Sequence, residues 1–266
     1  MATVTEDLRV TDSRHLSPSV VPRRNDRWWV SPLITLVVLG GFVIYGLYVT
    51  FVNNHYFSNK YDYLSPFYSP CLAAECHGAV SWKLIGSWWT ISPALLILPF
   101  PLGFRMTCYY YRKAYYRAFF LSPPACAVPD APKRYKGESR FPLILQNVHR
   151  IFFYLVLPFP FLLLWDAIKS FDGPDGHFMG LGTVILIVNA LLLGVYTLSC
   201  HSCRHVCGGR LDVMSSKPSR LRAWRFVTKL NDHHMAIAWV SLVFVAFTDV
   251  YIRLLSHNVF SDPRFF

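Results

Sequence analysis

Long apolar runs alternate with short, polar and strongly basic segments along this chain. Five stretches reach the roughly 20 mostly apolar residues that an α-helix needs to cross a hydrocarbon core: Ser31 to Val52, Leu84 to Phe104, Ile151 to Ser170, Phe178 to Ser199 and Met235 to Leu255. The pattern predicts an all-α integral membrane protein, a five-span transmembrane helical bundle. Pro93, Pro99 and Pro101 are expected to bend the second span, and Pro158 and Pro160 the third, where neighbouring helices or waters satisfy the freed backbone groups. Gly40, Gly41, Gly180, Gly182 and Gly194 are expected to let helices approach closely. The polar, charged stretch Met1 to Arg27 does not read as a cleavable signal peptide.

The basic residues orient the bundle, because Lys and Arg near span ends stay on the cytoplasmic side. Five precede the first span, nine lie from Arg105 to Arg150 and seven from Arg204 to Lys229, whereas the alternate loops carry only Lys60, Lys83 and Lys169. The N-terminus is therefore expected in the cytoplasm and the C-terminus outside. Residues 1–30 then form a cytoplasmic segment, 31–255 the membrane domain with cytoplasmic loops 104–150 and 200–234, and 256–266 an outer tail. The tail, with Phe260, Phe265 and Phe266, is expected to lie at the outer headgroups or to move freely. A composition of 53% hydrophobic and 15% charged residues, with mean hydropathy +0.32, agrees with membrane residence. The net charge of +11 reads as topology plus attraction to anionic lipid or an acidic partner, not as nucleic-acid binding.

On this topology the seven cysteines divide by compartment. Cys71 and Cys76 lie outside, where a disulfide pinning the first outer loop is expected. Cys108, Cys126, Cys200, Cys203 and Cys207 lie in the reducing interior, where clustering points to ligation of a metal rather than to disulfides. The run Ser199-Cys200-His201-Ser202-Cys203-Arg204-His205-Val206-Cys207 puts five soft ligands at a membrane boundary. As a helix it would place the three cysteines on one face and the two histidines on another. His149 opens the third span and His233 and His234 the fifth, so imidazoles from three helices reach one depth and can converge. His233, next to Asp232, is expected to face solvent.

Counting separates the centres such ligands could hold. A di-iron site needs more histidines and does not use abundant cysteine. A haem b needs two facing imidazoles, which His149, His205 and His234 can supply. A Rieske-type [2Fe-2S] cluster needs two thiolates and two imidazoles, and the inner pool contains both in excess. Outside redox chemistry stand a self-sufficient membrane metalloenzyme built on the Cys/His cluster and a scaffold carrying structural zinc. A further basic, tyrosine-rich segment, Phe104 to Phe120, is expected to extend the second helix beyond the membrane as a docking face for a soluble partner, or as an aromatic belt with cationic anchors. The five prolines between Ser122 and Pro142 make that stretch an irregular loop.

The segments Cys108-Tyr109-Tyr110-Tyr111-Arg112-Lys113-Ala114-Tyr115-Tyr116-Arg117, Ser122-Pro123-Pro124-Ala125-Cys126, Gln146-Asn147-Val148-His149-Arg150 and Cys200-His201-Ser202-Cys203-Arg204-His205 carry a resemblance to a known family. From about Pro32 to Leu255 the chain resembles the membrane-anchor C subunit of actinobacterial succinate dehydrogenases, most closely the mycobacterial type 1 branch. The resemblance implies an anchor in the bacterial plasma membrane that holds the flavoprotein and iron-sulfur subunits on its cytoplasmic face. It further implies electron transfer to a quinone, menaquinone by expectation, through a membrane-embedded Rieske-type cluster, with the haem b anchor as the alternative. Succinate oxidation is not expected of this chain alone, and the complex is free to oligomerise.

The candidate ligands remain a pool of eight: Cys108, Cys126, Cys200 and Cys203 for sulfur, and His149, His201, His205 and His234 for nitrogen. Asp166 and Asp249 are intramembrane carboxylates and hence candidates for proton exchange with quinone, although Asp249 can instead pair with Arg253 four residues on. Arg150 and Arg204 are candidates for holding a quinone carbonyl near the inner cluster.

Overall fold

The computed structural model describes residues 26–71, 92–122, 124–126, 128, 143–173, 176–209 and 211–265. Among them, four helical segments are long and apolar enough to cross a membrane: Val30–Val52, His149–Lys169, Leu181–Leu198 and His234–Ser256. The expected second span starts outside the described residues. Its later part is α2 (Ala94–Ile97) and α3 (Pro99–Thr107), after α1 (Val30–Val52), with proline at the first turn of α3 as that position tolerates.

The predicted continuation of the second helix is broken at Cys108. That residue is extended (φ −65°, ψ 131°), and a separate helix α4 (Tyr109–Ala118) follows it. Pro158 likewise divides the third span into α5 (His149–Val156) and α6 (Phe159–Lys169), since a proline ring has no N–H to continue the ladder. The chain then runs through α7 (Leu181–Leu198), α8 (His201–Gly208), α9 (Pro218–Asp232) and α10 (His234–Ser256). α7 packs between α6 and α10, so it is the most enclosed span, whereas the exposed apolar face of α1 carries Ile34, Val37, Ile44 and Phe51.

One end of the bundle is closed by a core of Phe104, Cys108, Tyr111, Phe153, Tyr196, Cys200 and Ala238. The opposite end is closed by loops. A short antiparallel pair, β1 (Phe57–Ser58) and β2 (Tyr63–Leu64), lays Tyr61 and Tyr63 against Phe178, Ile185 and Ile252. Cys71 in the same loop is disulfide-bonded, and its expected partner Cys76 lies outside the described residues.

The glycines act as expected only in part. A methyl group on Gly182 would sit 2.2 Å from the Tyr63 ring, and one on Gly180 2.0 Å from the Asp262 carboxylate. Both admit loop and tail groups rather than a helix. Gly194 comes near another helix, at Pro160 of α6, and Gly40 and Gly41 face open space.

The C-terminal tail is docked instead of lying loose. Leu181 N–H donates to Pro263 O at 2.9 Å and Phe265 N–H to Met179 O at 2.8 Å. Asp262, 5% exposed, accepts from Gly182 N–H at 3.0 Å and from the hydroxyls of Tyr63 and Tyr251. Its carboxylate thus caps the positive N-terminal end of α7. Replacing Asp262 by Ala removes the acceptor of the Tyr251 hydroxyl and the Gly182 amide and leaves Tyr63 only Thr183 as a partner, so a loss of about 1–3 kcal/mol is expected. Earlier proteolytic release of the tail and a lower thermal midpoint of the purified protein would register it.

Candidate cofactor site

Four helix ends meet at the closed end of the bundle. Cys108 is the extended joint between α3 and α4, and Cys200, also extended (φ −68°, ψ 146°), is the joint between α7 and α8. His149 begins α5 and His234 begins α10. An extended residue between two helices leaves the helical face pattern, so both cysteines turn inward and are 2% and 1% exposed. Cys200 also accepts from the free Ser202 N–H of α8 at 3.4 Å.

The donors pair across helices. His149 Nε2 lies 3.0 Å from Cys200 Sγ, and His234 Nε2 3.4 Å from Cys108 Sγ. The pairs adjoin, with Cys108 in electrostatic range of Cys200 and both His149 and His201 in range of His234. Rings seal the histidine faces: Phe104 stacks on His149 at a centroid distance of 4.9 Å and Tyr196 on His234 at 5.2 Å. Among the described residues, no group of three or more His, Cys, Asp and Glu side chains is arranged to hold a single metal ion. The set consists of two Cys–His pairs, the composition a binuclear cluster with mixed ligation takes. Burial pushes the Cys200 thiol up to about 12.

The rest of the pool takes no part in these two pairs, although His201 and Cys203 adjoin them. Cys203 pairs with Cys207 one turn along α8, and burial followed by the Cys207 charge pushes its thiol up to about 11. Cys126 is exposed, as are His201 and His205. The Tyr110 ring is stacked above His201 at 6.1 Å, and partial desolvation of this otherwise exposed ring, with the Arg204 charge, lowers its pKa. His233 is exposed, as expected. Arg150 is exposed, and Arg204 lies over the Trp224 ring at 4.8 Å.

Sequence reasoning missed Arg105. It is 8% exposed, lies 4.5 Å from the Tyr196 ring centroid, and donates to Tyr111 Oη at 2.6 Å and Ser241 Oγ at 3.0 Å. Its signal was visible, since an arginine at the end of an apolar span is costly unless it has work there, but it was grouped with the topology-setting cations. Tyr196 was missed too. Its hydroxyl is buried beside the Cys108 thiol.

Arg105, Tyr196 and Phe104 also form one end of a cavity of about 470 Å³. Its remaining walls, including Phe42, Leu47, Phe67, Pro99, Pro160 and Leu163, are almost entirely apolar, and it reaches Thr50 and Ala94 towards the opposite end of the bundle. The two intramembrane carboxylates lie at that opposite end. Asp249 accepts from Arg253 Nε at 2.8 Å and from the hydroxyls of Tyr45 and Ser65, while Asp166 accepts from the Ser69 hydroxyl. The Asp249 geometry is that of the i,i+4 pair.

The structure is thus that of a multi-span helical membrane protein with two thiols and two imidazoles gathered at one end. The family model for the actinobacterial succinate dehydrogenase subunit SdhC matches residues 30–258, and the chain belongs to that family. It is a membrane-anchor subunit within an enzyme complex. Among solved structures it is similar to a chain of the Mycobacterium smegmatis Sdh1 complex in the apo form, at 49% identity over 92% of this chain and 94% of that one, with a TM-score of 0.84. No curated protein matches.

Proposed function

We propose that this chain passes electrons from the iron-sulfur subunit of a succinate dehydrogenase to a quinone, with Cys108, Cys200, His149 and His234 holding a Rieske-type [2Fe-2S] cluster. The observation that carries the reading is the meeting of two buried thiols and two imidazoles from four helix ends. Bound there, such a cluster supplies one-electron carriage at the membrane edge. The haem reading is disfavoured because each Nε2 faces a cysteine sulfur, at 3.0 and 3.4 Å, instead of the other imidazole.

The surrounding residues have separable tasks. Phe104, Phe153 and Tyr196 exclude water, and Arg105 sets a buried positive charge against developing thiolate charge. The cavity beside them takes the quinone. Its apolar walls suit an isoprenoid tail, and Tyr196 Oη and Arg105 at its inner end are the polar groups nearest the proposed electron source. This replaces Arg150 and Arg204 as the quinone-holding candidates. Asp249, already satisfied by three donors, serves the fold, which leaves Asp166 as the carboxylate candidate for proton exchange.

The five-span plan, with a cytoplasmic N-terminus and an outer C-terminus, puts the cluster beneath the inner leaflet of the plasma membrane. The flavoprotein and iron-sulfur subunits dock over it, where α4, the turn after it and α9 expose Tyr109, Phe119, Phe120 and Phe226 among cations, a surface suited to an acidic partner. Metal and acid-labile sulfide analysis of the purified complex, with a reduced-minus-oxidised optical spectrum, tests the reading. Sulfide beyond that of the iron-sulfur subunit and no haem band are expected; a haem band or zinc alone would overturn it. Filling the cavity with Leu163→Trp is expected to raise the KM for quinone at least about tenfold by steric exclusion. Steady-state assays with a short-chain quinone check this against unchanged reduction of a soluble dye by the succinate-oxidising subunits.

A further inference from the structure

We infer that Thr107 and Ser199 are positioning residues that fix one tautomer of His149 and His234 and thereby make Nε2 the ligating nitrogen on both. The inference rests on the cluster reading above. Thr107 Oγ1 lies 2.8 Å from His149 Nδ1, and Ser199 Oγ 2.6 Å from His234 Nδ1. A hydroxyl has one proton to give. Thr107 donates its own to Gly103 O at 2.7 Å, one turn back on α3, and Ser199 donates to Tyr196 O at 2.9 Å at the end of α7. With the proton committed to a helix carbonyl, each hydroxyl oxygen can only accept from the histidine.

Nδ1 therefore carries the hydrogen in both rings, and the Nε2 lone pair is left bare. Both Nε2 atoms point at the site, towards Cys200 Sγ and Cys108 Sγ. The two helices use the same device independently. Asn231 Nδ2 donates to Ser199 O at 2.7 Å and holds the end of α7 in place, and the stacked rings of Phe104 and Tyr196 prevent either imidazole from flipping. Outer partners of metal-bound histidines act in this way, fixing ring orientation and raising donor strength.

The test uses the whole purified complex, prepared from cells fed histidine labelled with 15N at Nδ1 alone or at Nε2 alone. Pulsed EPR of the reduced complex is expected to show the strong, directly bonded nitrogen coupling from the Nε2 label and only weak remote coupling from the Nδ1 label. The reverse assignment overturns the inference and leaves the cluster reading standing. Absence of strong coupling from both labels overturns the cluster reading and the inference with it. Thr107→Val and Ser199→Ala are expected to weaken cluster retention against a chelator about 10–100-fold, and Thr107→Ser to restore it. Unchanged retention and an unchanged EPR spectrum in both variants would also overturn the inference.

Discussion

Replacing Cys200 by Ser is expected to abolish electron transfer to quinone while the helix bundle stays intact. The hydroxyl is close in size and can still accept from Ser202 N–H, so the break between α7 and α8 keeps its cap. What disappears is a soft thiolate, and an alcohol that stays protonated at neutral pH is no substitute for it. Losing an outer partner of a ligand costs up to about 100-fold, and losing the ligand itself should exceed that. The measurement is succinate-to-quinone turnover beside succinate-to-dye turnover, with sulfide content and the EPR signal of the same sample. The companion variant Cys203→Ser is the control, since that sulfur pairs with Cys207 on α8. If Cys203→Ser lost the signal and Cys200→Ser kept it, the ligand assignment would be wrong.

Asp249→Ala should produce the largest loss of stability among single changes to the bundle. The carboxylate is fully buried, and its removal leaves the Arg253 guanidinium, whose side chain is 11% exposed, without its counter-charge inside an apolar bundle. Breaking one side of a buried pair costs about 3–5 kcal/mol, and Tyr45 and Ser65 lose an acceptor as well. A lowered thermal midpoint and a poor yield of assembled complex are expected. Replacing both partners, as Asp249→Asn with Arg253→Gln, should recover most of the loss because no buried charge is left alone. A stable Asp249→Ala complex that fails only in quinone turnover would return Asp249 to the proton-transfer role.

Much of this arrangement is legible in one dimension. Spans such as Leu181–Leu198 and His234–Ser256 announce themselves because an apolar run near 20 residues matches the thickness of a hydrocarbon core. His149 and His234 are visible as polar residues at span starts, and Cys200 as a soft ligand just past the end of an apolar run. Choosing among the eight candidate ligands was not possible, because the helical-face argument failed where it mattered. It grouped Cys200 with Cys203 and Cys207, but Cys200 is an extended joint that turns inward and leaves the other two as a pair on α8. Cys108 is in the pool, but the helix break that turns it inward is not legible, because the tyrosine-rich stretch reads as one continued helix.

The sequence by itself determined that the chain is helical, crosses a membrane and gathers thiols and imidazoles at one depth, because apolar run length and the position of polar residues at span ends are local properties. Only the tertiary structure decided which donors share a site, that Arg105 and Tyr196 line both that site and the cavity, and that Thr107 and Ser199 stand behind the histidines. Those facts depend on the angles at two broken helices and on which helix ends abut, and such long-range packing is not encoded in the spacing of any one segment.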